Sequence, residues 1–109
     1  MDSSLFGYSM DDFKEEAKEL LSKAEDIISE IKDNPENAEG VNALFRAIHS
    51  LKGSAAYVGL ADVTGFSHLY ESFLGDLRSK KYKVTDNVLN VLIRSRDYLD
   101  DLIFHSDST

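Results

Sequence analysis

His49 and Lys52 stand three residues apart in the run FRAIHSLKGSAAYVG, residues 45–59, and Gly53 follows at once. Imidazole is a nucleophile, a base and a proton carrier near neutral pH. An ammonium one helical turn away can offset negative charge on a group that approaches the ring. Gly53 is the odd member: inside a helix it costs about 1 kcal/mol relative to alanine. Its return is the absence of a Cβ, which lets a partner's backbone come close. A second pair, His68-x-x-Glu71, adds a carboxylate that can hold one ring nitrogen of His49 and leave the other as a free lone pair.

These side chains need rigid elements to hold them, and the apolar spacing is helical throughout. Met10, Phe13, Ala17, Leu20, Leu21, Ala24, Ile27, Ile28 and Ile31 recur at steps of three and four. Ser9 with Asp12 forms a capping-box pattern ahead of them, and Asn34-Pro35 closes the segment. The spacing predicts helices over about 10–32, 37–58, 61–80 and 85–104, with 105–109 a frayed tail. Gly59 is the stop of the second helix and Thr85 the cap of the fourth. Val63, Phe66, Leu69, Tyr70, Phe73, Leu74 and Leu77 supply the third helix, with Tyr57, Tyr70 and Phe73 read as packing residues. Short connections make neighbours antiparallel, so the expected fold is all-α, a single up-down-up-down four-helix bundle.

At 100° per residue, Val41, Leu44, Ala47, Ile48, Leu51, Ala55 and Val58 cluster on one side of the second helix. His49 falls roughly 140° from the centre of that cluster, and Phe45, Lys52, Gly53 and Ala56 lie within about 60° of it. The histidine therefore faces solvent. Thr64, His68 and Glu71 come out on the flank of the third helix, and in an antiparallel pair that flank lies beside His49. A solitary outward His-x-x-Lys is ordinarily a solvated helix face. Gly53, the small residues Ala55 and Ala56, and the second His/Glu pair set this one apart.

Composition narrows the function further. The 109 residues include 20 acidic and 12 basic side chains, a net charge of −8, and no cysteine. Disulfides, thiolate metal sites and thiol nucleophiles are excluded. No basic stripe suits nucleic acid or an anionic membrane; the one basic cluster, Arg78, Lys80, Lys81 and Lys83, complements the end of the third helix. No apolar run approaches the roughly 20 residues of a membrane span, and no signal-peptide pattern opens the chain, so a cytoplasmic location is expected. His68-x-x-Glu71 is single, reversed and outward relative to the inward, doubled Glu-x-x-His of di-iron bundles, so no metal site is expected.

FRAIHSLKGSAAYVGL resembles the histidine phosphotransfer (HPt) signature, a His-x-x-Lys-Gly run on the second helix of a four-helix bundle. The similarity is nearest to the N-terminal phosphotransfer domain of chemotaxis-type, CheA-family histidine kinases. It rests on Phe45-Arg46-Ala47 before the histidine, Gly59-Leu60 after it, His68-Leu69-Tyr70-Glu71 some twenty residues on, and NPEN ahead of the second helix. It covers roughly residues 10–104. The resemblance implies that His49 is phosphorylated through Nε2, that Glu71 bonds Nδ1, and that Lys52 and His68 surround the phosphoryl group. Gly53 opens the surface, with Phe45 and Ala56 as a docking face. It implies two protein partners, a kinase catalytic domain as donor and a response-regulator receiver domain as acceptor. ATP and Mg²⁺ belong to those partners, and the domain itself has no cofactor and is monomeric. Ser54, where glycine or methionine is common, is read as neutral. A fifth helix, frequent in chemotaxis kinases, is not matched in this chain. Two alternatives stand beside this reading: an HPt-like interaction module that carries no phosphate, and a phosphorelay HPt of a hybrid kinase.

Overall fold

The structure, a computed structural model, describes residues 7–105. They form four helices and no strand: α1 (Met10–Asp33), α2 (Ala38–Tyr57), α3 (Ala61–Arg78) and α4 (Asp86–Phe104). The bounds differ from the sequence expectation by two residues or fewer, and the capping geometry says why. Ser9 and Asp12 make a reciprocal capping box at the start of α1. Asn37 and Thr85 stand outside α2 and α4 as caps, their side chains accepting from the Gly40 and Val88 amides.

The α2 and α3 exits share one closure. In α2, the Leu60 amide donates to the Ala55 carbonyl and the Gly59 amide to the Ala56 carbonyl, with Gly59 left-handed at φ 80°. In α3 the same pair of bonds runs from Lys81 to Asp76 and from Lys80 to Leu77. There Lys80, at φ 63°, takes the position that glycine fills in α2. That closure ends α3 at Arg78, short of the expected Lys80, so the basic cluster lies mostly in the following loop.

Each helix packs on two neighbours around one core. Phe13, Leu21, Ile31, Leu44, Ile48, Leu51, Leu74, Leu92 and Leu99 are fully enclosed. Polar bonds tie the ring between elements. Tyr70, buried, donates to the Leu92 carbonyl at 2.7 Å and joins α3 to α4; burial pushes its hydroxyl well above the ordinary phenol range. Arg96 on α4 donates through Nε to the Leu21 carbonyl of α1 at 3.0 Å and reaches Glu25 at 3.4 Å. Ser54 donates to Glu16 and joins α2 to α1; Tyr8, just ahead of α1, donates to the same carboxylate, and partial burial with that bond pushes the Tyr8 hydroxyl up to about 12.

Three expected packing residues turn outward: Met10, Leu69 and Tyr57 are exposed. Leu69 lies one residue, hence 100°, from buried Tyr70, off the stripe that Val63, Tyr70, Leu74 and Leu77 define. Tyr57, at the last turn of α2, meets Tyr8 edge-on rather than entering the core. Ser67 takes a core position on α3 instead, fully buried, its hydroxyl without a hydrogen-bond partner. Among the described residues no helix is long and apolar enough to cross a membrane.

Candidate functional site

The α2–α3 pair builds the site. Its register is antiparallel: His49 stands opposite Glu71, and Phe45 passes over Gly75, whose absent Cβ would lie 3.8 Å from the Phe45 ring. Glu71, Gly75 and Arg78 share one α3 face at steps of four and three, and Phe45, His49 and Lys52 share the facing side of α2.

His49 is open to solvent, its side chain 63% exposed, while Glu71 behind it keeps only 12% exposure. The His49 Nδ1 donates to Glu71 Oε2. A carboxylate only accepts, so Nδ1 carries a proton, and in the neutral ring Nε2 is then the nitrogen with the free lone pair. Lys52, 24% exposed, donates through Nζ to the other oxygen, Glu71 Oε1, at 2.8 Å. Burial alone pushes the Glu71 carboxyl up. The hydrogen bonds from Lys52 and His49, with the Lys52 charge, outweigh that and hold it below its ordinary value. Glu71 is thus a fixed anion with one oxygen for each partner.

The Lys52 ammonium, which the sequence sets toward an incoming phosphoryl group, also compensates the enclosed carboxylate, because a buried anion without a cation is costly. Two of its three donor hydrogens stay unused by that bond. His68 lies one turn before Glu71, level with Lys52 by the register, exposed and with no hydrogen bond among the described residues. Gly53 and Ala56 are exposed beside the histidine, and a Cβ on Gly53 would meet nothing within 4 Å. No internal packing demands glycine there.

Phe45 departs from its expected place. It is half-buried against the core rather than standing fully outward. Its ring lies parallel to His49, 4° between planes and 6.2 Å between centroids, and the Arg78 guanidinium covers it at 4.0 Å. Helical phase placed Phe45 on the right side but could not see α3 closing over it. Sequence reasoning also missed Arg78, taken only as a dipole complement; the signal was its step of seven from Glu71. Ser54, read as neutral, anchors Glu16 at 2.9 Å. Among the described residues the grouping with metal-ligand geometry is Asp100, Asp101 and His105 at the end of α4, outside this site.

The Hpt domain family model matches residues 9–103. The chain belongs to the Hpt domain family. Relatives include the chemotaxis protein CheA of Rhizobium meliloti, 40% identical over 83% of this chain and 12% of its own length. The chemotaxis protein CheA of Treponema pallidum is 36% identical over 84% of this chain and 11% of its own. The chain therefore spans only a small part of the curated relatives it matches. Among solved structures, the CheA phosphotransferase domain from Thermotoga maritima superimposes with a TM-score of 0.82 at 31% identity, covering 86% of this chain and 90% of that one. A computationally redesigned four-helix bundle matches at 0.83 with 22% identity and speaks for the fold alone. This Hpt domain is homologous to CheA phosphotransfer domains, the main reading of the sequence over its alternatives.

Proposed function

We propose that this Hpt domain is a phosphocarrier in which His49 accepts a phosphoryl group from a kinase and yields it to a response-regulator aspartate. The observation that carries the reading is the exposed His49 ring with Nδ1 committed to an enclosed carboxylate. The Nε2 lone pair attacks the γ-phosphorus of ATP in the kinase's site, an N–P bond forms, the bridging P–O bond breaks, and ADP leaves. The ring then carries phosphorus on Nε2 and a proton on Nδ1, so positive charge develops on the imidazole. Glu71 meets that charge at the nitrogen where it is held, a stabilisation that grows toward the transition state. In the reverse half, an aspartate oxygen attacks phosphorus, the N–P bond breaks, and the electron pair returns to Nε2.

Lys52 and His68 flank the phosphoryl position in this reading, Gly53 and Ala56 give the partner its approach, and ATP and Mg²⁺ come with the partners. A cytoplasmic location and a parent histidine kinase are parts of the same proposal. Its test is labelling with radioactive ATP by a CheA-type kinase catalytic domain. Wild type is expected to take up acid-labile phosphate, His49→Gln none with unchanged helix content, and Glu71→Ala at a slower rate. Equal labelling of His49→Gln would remove His49 from the mechanism.

A further inference from the structure

Fixing Nδ1 leaves one freedom: the His49 ring can still swing about its bond to Glu71 unless something defines its plane. Phe45 does so. It lies one turn before His49 on α2, its ring within 4° of parallel and 6.2 Å away, inside the range of offset-stacked aromatic pairs. Phe45 is itself held from three sides. The core takes its inner edge, Gly75 lies under Cε2, and the Arg78 guanidinium covers the ring at 4.0 Å, a cation–π distance. Among the described residues no hydrogen bond or ion pair competes for Arg78, and its register on α3 comes from the same face that carries Glu71.

We propose that Phe45, covered by Arg78, is a positioning residue that sets the plane of the His49 imidazole and so the direction of the Nε2 lone pair. The inference rests on His49 being the phosphorylated residue and deepens that reading. Glu71 fixes which nitrogen attacks; Phe45 fixes where it aims. α3 therefore supplies both restraints, one directly and one through Arg78. A docking role for Phe45 would act on partner affinity. A positioning role acts on the chemical step and persists when no partner protein is present.

That difference gives the test. Phosphoramidate, a small phosphoryl donor without a docking surface, transfers its phosphoryl group to an imidazole nitrogen and releases ammonia. Phosphorylation of the whole chain is measured with phosphoramidate and with ATP plus a CheA-type kinase domain, for wild type, Phe45→Leu, Phe45→Tyr, Arg78→Ala and His49→Gln. Freeing one side-chain torsion of the nucleophile predicts a loss of about threefold to fivefold for Phe45→Leu with both donors. With the kinase the loss falls in kcat rather than KM. Phe45→Tyr, which keeps the flat ring, retains the wild-type rate, and Arg78→Ala falls in the same direction as Phe45→Leu by less. A Phe45→Leu rate unchanged with phosphoramidate overturns the proposal, whatever the kinase result. So does equal slowing by Phe45→Leu and Phe45→Tyr, which would mean the ring face is not what matters. A wild type that reacts no better than His49→Gln with either donor defeats the phosphocarrier reading itself and is recognisable as a separate failure.

Discussion

Glu71 decides the chemistry of His49, and it does so as an anion. Its two oxygens are divided between the His49 Nδ1 and the Lys52 ammonium at 2.8 Å, and that division holds its proton affinity down in spite of burial. A carboxyl with a depressed folded pKa stabilises the fold in full above its unfolded value, ordinarily 4.5, and loses that contribution as pH falls through the lower folded value. Glu71→Gln is therefore expected to be less stable than wild type by about 2 kcal/mol near neutral pH, the scale of hydrogen bonds to charged groups. The gap should close as pH drops below the ordinary carboxylate range, read from urea midpoints at a series of pH values. A gap that stays constant from neutral to strongly acidic pH would mean that Glu71 contributes through shape and not through charge. His49 and Glu71 were visible in the sequence because each lies at a helical phase that the core does not claim. The sharing of Glu71 with Lys52 was not, because phase locates a side chain on a face and says nothing of which acid it reaches across the gap.

Helices α2 and α3 act as a matched pair, one presenting the ring and the other its restraints. Gly53 lies mid-helix on the presenting face, with open space where a Cβ would stand. Gly53→Ala should raise the stability of the bundle by about 1 kcal/mol. It should also slow phosphotransfer with a protein donor while leaving the phosphoramidate reaction unaffected. Thermal unfolding and the two transfer assays read the pair of effects, and an alanine that changes neither transfer rate would leave the glycine without a role in partner approach. The elements themselves were legible down to their caps: Ser9 with Asp12, the Gly59 stop and Thr85 all act as read. What escaped was local. Lys80 adopts the left-handed turn that sequence reserves for glycine or asparagine, so α3 stops at Arg78 and that side chain is placed to lie over Phe45. Ser67 was read past because a small hydroxyl interrupts an apolar stripe without breaking its period.

At the scale of the molecule, one core of four helices sets the frame, and the proposed chemistry sits on the outer face of two of them. Separating the two tasks lets a largely apolar interior set the backbone while polar bonds such as Tyr70 to Leu92 and Arg96 to Leu21 fix how neighbouring helices sit. The net charge of −8 is carried by a chain in which four of the twelve basic residues, Arg78, Lys80, Lys81 and Lys83, gather in and after the last turn of α3. Three histidines occur in the chain, and they differ in what holds them: His49 has Glu71 on Nδ1 and Phe45 beside its ring, His68 stands free in solvent, and His105 caps the end of α4. The measurement that bears most directly on the whole account is the site and stoichiometry of phosphate on the intact chain. After phosphorylation, nitrogen NMR under alkaline conditions should find one phosphoryl group per molecule, with phosphorus coupling on Nε2 of His49 and the proton retained on Nδ1. Phosphorus on Nδ1 of His49, or on either of the other two histidines, would contradict it.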